Sequence, residues 1–64
     1  MQIDLNGRAL TVTAQTLGAA LAELGLNGPL ATALNGHFVA ATARAATVLH
    51  NGDRIEALSP MQGG

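Results

Sequence analysis

The dipeptide Asn-Gly occurs four times in 64 residues, at Asn6-Gly7, Asn27-Gly28, Asn35-Gly36 and Asn51-Gly52. Both residues tolerate positive φ, so each pair favours a tight reversal of the chain. Reversals this close together leave room only for short elements. Before the first, Met1, Ile3 and Leu5 alternate with Gln2 and Asp4, the period of two expected of a strand with one buried face. After it, Ala9, Leu10, Thr11, Val12 and Thr13 alternate again and include β-branched residues, so residues 1–13 predict a hairpin.

From Thr16 the period changes. Leu17, Ala20, Leu21 and Leu24 stand at i, i+3, i+4 and i+7, a single apolar stripe on a helix of about two to three turns. Thr16 is the natural N-cap, but Ala19 occupies the place where a capping box would have Glu or Gln, so one side chain alone caps the start. Gly25 suits a left-handed helix stop, and Pro29 prevents continuation. Residues 30–34 and 37–39, joined by Asn35-Gly36, predict a second strand pair. Residues 40–46 are nearly all Ala, which favours helix between extended flanks, and predict a loop with room for one helical turn. Residues 47–49 read as a short extended piece, and Asn51-Gly52-Asp53 as a turn.

Residues 54–58 predict the last strand, with Ile55 and Ala57 facing the helix and Arg54, Glu56 and Leu58 facing away. The order β-β-α-β-β-β predicts an α+β fold of the β-grasp, ubiquitin-like kind. One main helix packs on one face of a mixed sheet, and the C-terminal strand lies centrally beside the first. Residues 59–64 carry no periodicity and predict a flexible tail after a single domain of residues 1–58.

Composition narrows the function. The apolar fraction is 48%, yet Phe38 is the lone aromatic, so the core must be built from Leu, Ile, Val and Ala. Cysteine is absent, which removes disulfides, thiolate metal sites and any side-chain persulfide. The net charge of −1 offers no basic patch for a nucleic acid. No apolar run approaches the ~20 residues that span a membrane, and the N-terminus lacks the layout of a signal peptide, so the cytoplasm is the expected location.

The last two residues, Gly63 and Gly64, lack Cβ atoms and can thread a narrow channel to present a carboxylate to a reactive centre. Ionised near neutral pH, that carboxylate can attack the α-phosphate of ATP in a partner enzyme, and a sulfur nucleophile can then displace the adenylate. Two terminal glycines arise by chance at about half a percent, and their position after a β-grasp pattern favours a functional reading.

Three segments carry a resemblance: Ala33-Leu-Asn-Gly-His-Phe-Val39, Thr47-Val-Leu-His-Asn-Gly-Asp-Arg-Ile-Glu56, and Pro60-Met-Gln-Gly-Gly64. In that order and spacing they resemble the ThiS family of bacterial sulfur carriers for thiamine biosynthesis, and residues 1–8 and the helix start at Thr16-Leu17 fit as well. The resemblance implies a carrier and co-substrate rather than an enzyme. Gly64 would be adenylated by an E1-like, ThiF-like adenylyltransferase that consumes ATP, and a cysteine-desulfurase pathway or sulfide would supply sulfur. A ThiG-like thiazole synthase would receive it. No bound cofactor or metal is implied. Gly63 would be the slender lead-in, with Gln62, Met61, Leu58 and Phe38 as partner-binding candidates. The chain departs from the family pattern after Val39, where Pro-Arg and a later bulky aromatic are expected but Ala40, Ala41 and Ala46 stand.

Three other readings share parts of this pattern: the small subunit of molybdopterin synthase, a protein-conjugating modifier, and a β-grasp interaction module. The short chain, poor in aromatics, favours the thiamine carrier over the first. His37 and His50 read as surface positions beside turns, and Asp53 and Glu56 as solvated positions on opposite faces of the last strand.

Overall fold

The computed structural model describes residues 1–26 and 28–59. Its strands are β1 (Gln2–Leu5), β2 (Arg8–Thr11), β3 (Ala31–Leu34), β4 (His37–Val39) and β5 (Arg54–Leu58). One α-helix, α1 (Leu17–Glu23), follows β2, and a 3-10 helix (Ala41–Ala46) follows β4.

The Asn-Gly pairs build two tight hairpins. Asn6 and Asn35 both lie at φ 51°, followed by Gly7 at 87° and Gly36 at 84°. Positive φ at both central residues matches the right-handed twist of the strands they join. The third pair differs, because only Gly52 is at positive φ, 91°, while the Asn51 side chain accepts a hydrogen bond from the Gln2 N–H at 2.7 Å. That turn joins distant segments instead of adjacent antiparallel strands. Of the fourth pair, Asn27 lies outside the described residues.

Helix α1 starts and stops as its sequence predicts. The Thr16 hydroxyl accepts from the Ala19 N–H at 3.2 Å. At the other end Gly25 takes φ 74°, its N–H donates to Ala22 O, and the Leu26 N–H donates to Leu21 O. This pair of bonds is a Schellman stop, which satisfies carbonyls the helix end would otherwise leave without donors. Leu17, Ala20 and Leu21 are buried, and Leu24 packs partly against them.

The five strands form one sheet in the order β2-β1-β5-β3-β4. β1 and β5 run parallel, and the other neighbours antiparallel. β5 is therefore the central strand that joins the two hairpins. Its register pairs Leu5 with Ile55 on one side and Leu34 with Ile55 on the other. Ile3 and Ile55 consequently meet α1 on one face, in a core completed by Val12, Leu17, Ala20, Leu21 and Leu49. Each fully buried Leu or Ile contributes about 1.5–3 kcal/mol, so these few aliphatic residues are the main favourable term in holding the domain. The architecture is the β-grasp arrangement the sequence predicts.

One segment differs from expectation. Residues 40–46, expected as a loop with room for one helical turn, form a six-residue 3-10 helix over Ala41–Ala46. Its anchor is Arg44, whose Nε donates to Thr32 Oγ1 at 2.9 Å and whose Nη2 donates to Leu30 O at 2.6 Å. Thr32 is only 1% exposed, and its hydroxyl also donates to Val39 O. Gly18 lets α1 lie close against this helix, since a Cβ there would stand 3.3 Å from Ala45 N. Residues 47–49 form the short extended piece the sequence predicts, held by a single bridge from Val48 to Thr16. Leu49 is nevertheless core, 3% exposed, with its N–H donating to Gln15 O.

Candidate functional site

β5 is the last element of the described chain and ends at Leu58, one residue before the described residues stop. Along this strand Ile55 is buried and Ala57 half-buried, while Arg54, Glu56 and Leu58 are exposed, which is the alternation the sequence predicts. The strand's central position means its last residues are gripped from both sides.

On the β3 side, Ala31 pairs with Leu58 and Thr32 with Ala57. On the β1 side the ladder ends earlier. The Asn6 N–H donates to Ile55 O at 2.9 Å, and then β1 turns away into its hairpin. The Asn6 carboxamide takes over: its Oδ1 accepts from the Ala57 N–H at 2.9 Å and its Nδ2 donates to Ala57 O at 3.0 Å. One side chain thus replaces a strand residue at the next rung.

Asn35 does the same at the opposite end. Its backbone N–H donates to Arg54 O, its Oδ1 accepts from the Arg54 N–H, and its Nδ2 donates to Asp53 Oδ1 at 3.0 Å. Asp53 is therefore a half-buried turn lock, not the solvated residue that sequence spacing suggested. The Asn35 amide, the His50 N–H and the nearby His50 ring hold its carboxyl below the usual Asp range. His50 Nδ1 lies 3.9 Å from Asp53 Oδ2 with its ring largely exposed, and His37 is exposed at the start of β4.

The sheet face away from α1 carries the candidate docking residues. Register places Phe38 across from Ala33, Ala33 across from Glu56, and Ala31 across from Leu58, and directly paired residues share a face. Phe38 is 74% exposed and Leu58 63%, with the small residues Ala31 and Ala33 between them. Beside this apolar strip, Asp4, Asn6, Gly7, Arg54 and Glu56 line a shallow hollow of about 310 Å³. Its charges are mixed. Among the described residues no three of His, Asp and Glu gather into a group able to hold a metal ion. The remaining candidates, Met61, Gln62, Gly63 and Gly64, lie outside the described residues, as does all of the predicted tail after Ser59.

Asn6 was not among the candidates, and its dipeptide offered only a turn signal. Its bond to Ala57 spans 51 residues of sequence, and no local pattern encodes such a pairing.

A sequence profile described as the ThiS family matches residues 3–64. The chain belongs to the ThiS family. The crystal structure of a thiamine biosynthesis protein (ThiS) from Geobacter metallireducens is similar to this ThiS-family chain over the full length of both. The sequences are 29% identical and the TM-score is 0.85. No curated protein matches the sequence. Full coverage of both chains includes the alanine-rich stretch, so the departure from the family pattern after Val39 leaves this ThiS fold intact.

Proposed function

We propose that this chain is a sulfur carrier of thiamine biosynthesis whose reactive group is the Gly64 carboxylate. Membership of the ThiS family, with a profile match that runs through Gly64, is the observation that carries this reading. A carboxylate oxygen of Gly64 attacks the α-phosphorus of ATP in an E1-like adenylyltransferase, and pyrophosphate leaves. Sulfide then attacks the acyl carbon, AMP departs, and a thiocarboxylate remains on Gly64; where the donor is a desulfurase persulfide, its terminal sulfur attacks instead, and a thiol cleaves the resulting acyl disulfide to the thiocarboxylate and a disulfide. A thiazole synthase accepts that sulfur and returns the carboxylate. The six residues 59–64 reach about 20 Å when extended, long enough to pass from the sheet into an enclosed centre.

Docking is assigned to the face that carries Phe38 and Leu58. This apolar strip runs up to the last described residues before the tail, so an enzyme that grips the tail also meets the strip. Met61, Gln62 and Gly63 would thread the partner's channel and touch its walls.

Intact mass spectrometry after incubation with the adenylyltransferase, ATP and a sulfur source tests the chemistry. The expected result is a mass gain equal to the exchange of one oxygen for sulfur, located at Gly64. Deleting Gly64, or adding one residue after it, should abolish the gain while circular dichroism stays unchanged. A strain that carries either variant and still grows without thiamine would overturn the proposal.

A further inference from the structure

We infer that Asn6 is a positioning residue for the C-terminal segment: its carboxamide clamps the last β1-side rung of β5 and so fixes the end of the strand from which that segment continues. This rests on the carrier reading above and adds a residue to it.

Successive residues of a strand turn their N–H and C=O groups to opposite edges. Arg54 faces β3 through Asn35, Ile55 faces β1, and Ala57 again faces the β1 edge. Ala57 is the last residue of β5 whose backbone groups point that way, since Leu58 is the end of the strand. Both of its groups are taken by one side chain, Asn6, at 2.9 and 3.0 Å. Without that carboxamide the last β1-side contact falls back to Ile55, two residues earlier. The tail root would then be held on the β3 edge alone.

The geometry of Asn6 suits this task. At φ 51° the residue that turns the hairpin also points its amide along the direction β1 would have continued. Asn tolerates that φ where most side chains do not. Glycine tolerates it too, so Asn6→Gly removes the amide and leaves the turn unstrained. Asn35→Gly makes the same chemical change in a turn of the same φ at the start of β5, far from the tail. It is the matched control.

Two measurements decide the matter. The first is amide hydrogen exchange on the free protein. The Ala57 N–H should exchange on the order of tenfold faster in Asn6→Gly and not in Asn35→Gly, once each rate is referred to that variant's own global stability. The second is adenylation by the E1-like enzyme with ATP, followed by pyrophosphate release. A looser root must be ordered when the tail enters the enzyme, so Asn6→Gly should raise KM by about 3- to 10-fold with kcat nearly unchanged, and Asn35→Gly should leave KM near wild type. Equal KM in both variants, or unchanged Ala57 exchange in Asn6→Gly, overturns the inference. Failure of the wild-type chain itself to be adenylated overturns the carrier reading instead, and the exchange data still judge the clamp.

Discussion

Most polar side chains that matter here act on the backbone of a distant segment. Glu23, in the last turn of α1, accepts from the Thr13 N–H, the Thr13 hydroxyl and the Ala14 N–H, at 2.9 to 3.1 Å. The backbone bond from Thr13 is the main reason its carboxyl sits below the usual Glu range. A carboxylate with a lowered folded pKa adds stability above its unfolded pKa and loses it as pH falls through the folded one. Asp53 has the same sign. The melting temperature of the wild-type protein should therefore drop on acidification between about pH 5 and pH 3, and the drop should be shallower in Glu23→Gln, which cannot titrate. Parallel curves for the two proteins would remove Glu23 from the acid response. A sequence shows such a residue only as an exposed acid near a helix end, the place where the helix dipole least favours it.

At the scale of elements, propensity placed α1 and the hairpins correctly because each carries its own signals: a stripe, a cap, a stop and a two-residue turn. The 3-10 helix of residues 41–46 carries none. Its Ala-rich sequence suits several conformations, and two tertiary devices select one, the Arg44 bonds to Leu30 and Thr32 and the bare face of Gly18, while the Thr47 hydroxyl closes the end locally by donating to Ala43 O. Arg44→Ala should cost about 1–3 kcal/mol in urea denaturation, because it strips a charged donor from Leu30 O and Thr32 Oγ1 in a partly buried site. A loss below about 0.5 kcal/mol would mean the helix is held by packing alone, as for an ordinary surface substitution.

For the whole molecule, the decisive feature is that β5 alone joins the two hairpins within the sheet. Its inner residue Ile55 is 1% exposed between Leu5 and Leu34, whereas Phe38, on the outer face, is 74% exposed. The two large apolar residues should thus separate stability from docking. Ile55→Ala should cost about 2–5 kcal/mol, a large share of what a domain of this size possesses, and shift the cooperative urea midpoint accordingly. Phe38→Ser should leave that midpoint nearly unchanged, within about 0.5 kcal/mol, yet raise KM for adenylation. An unchanged KM would remove Phe38 from the docking surface.

Local regularities in the sequence were enough to determine the five strands, the α-helix and their order, the inward set Ile3, Leu17, Leu21 and Ile55, and the Gly-Gly end that marks Gly64 as the candidate acceptor. These depend on periods and turn chemistry that act over a few residues. What only the tertiary structure decided is which segments meet: Asn6 with Ala57, Asn35 with Arg54, Asp53 beneath its turn, and Arg44 with Thr32. Every one of these except the Asp53 turn joins residues more than ten apart. A free carboxamide or guanidinium has equally good partners in water, so it chooses a protein partner only once the sheet has brought that partner's backbone within reach.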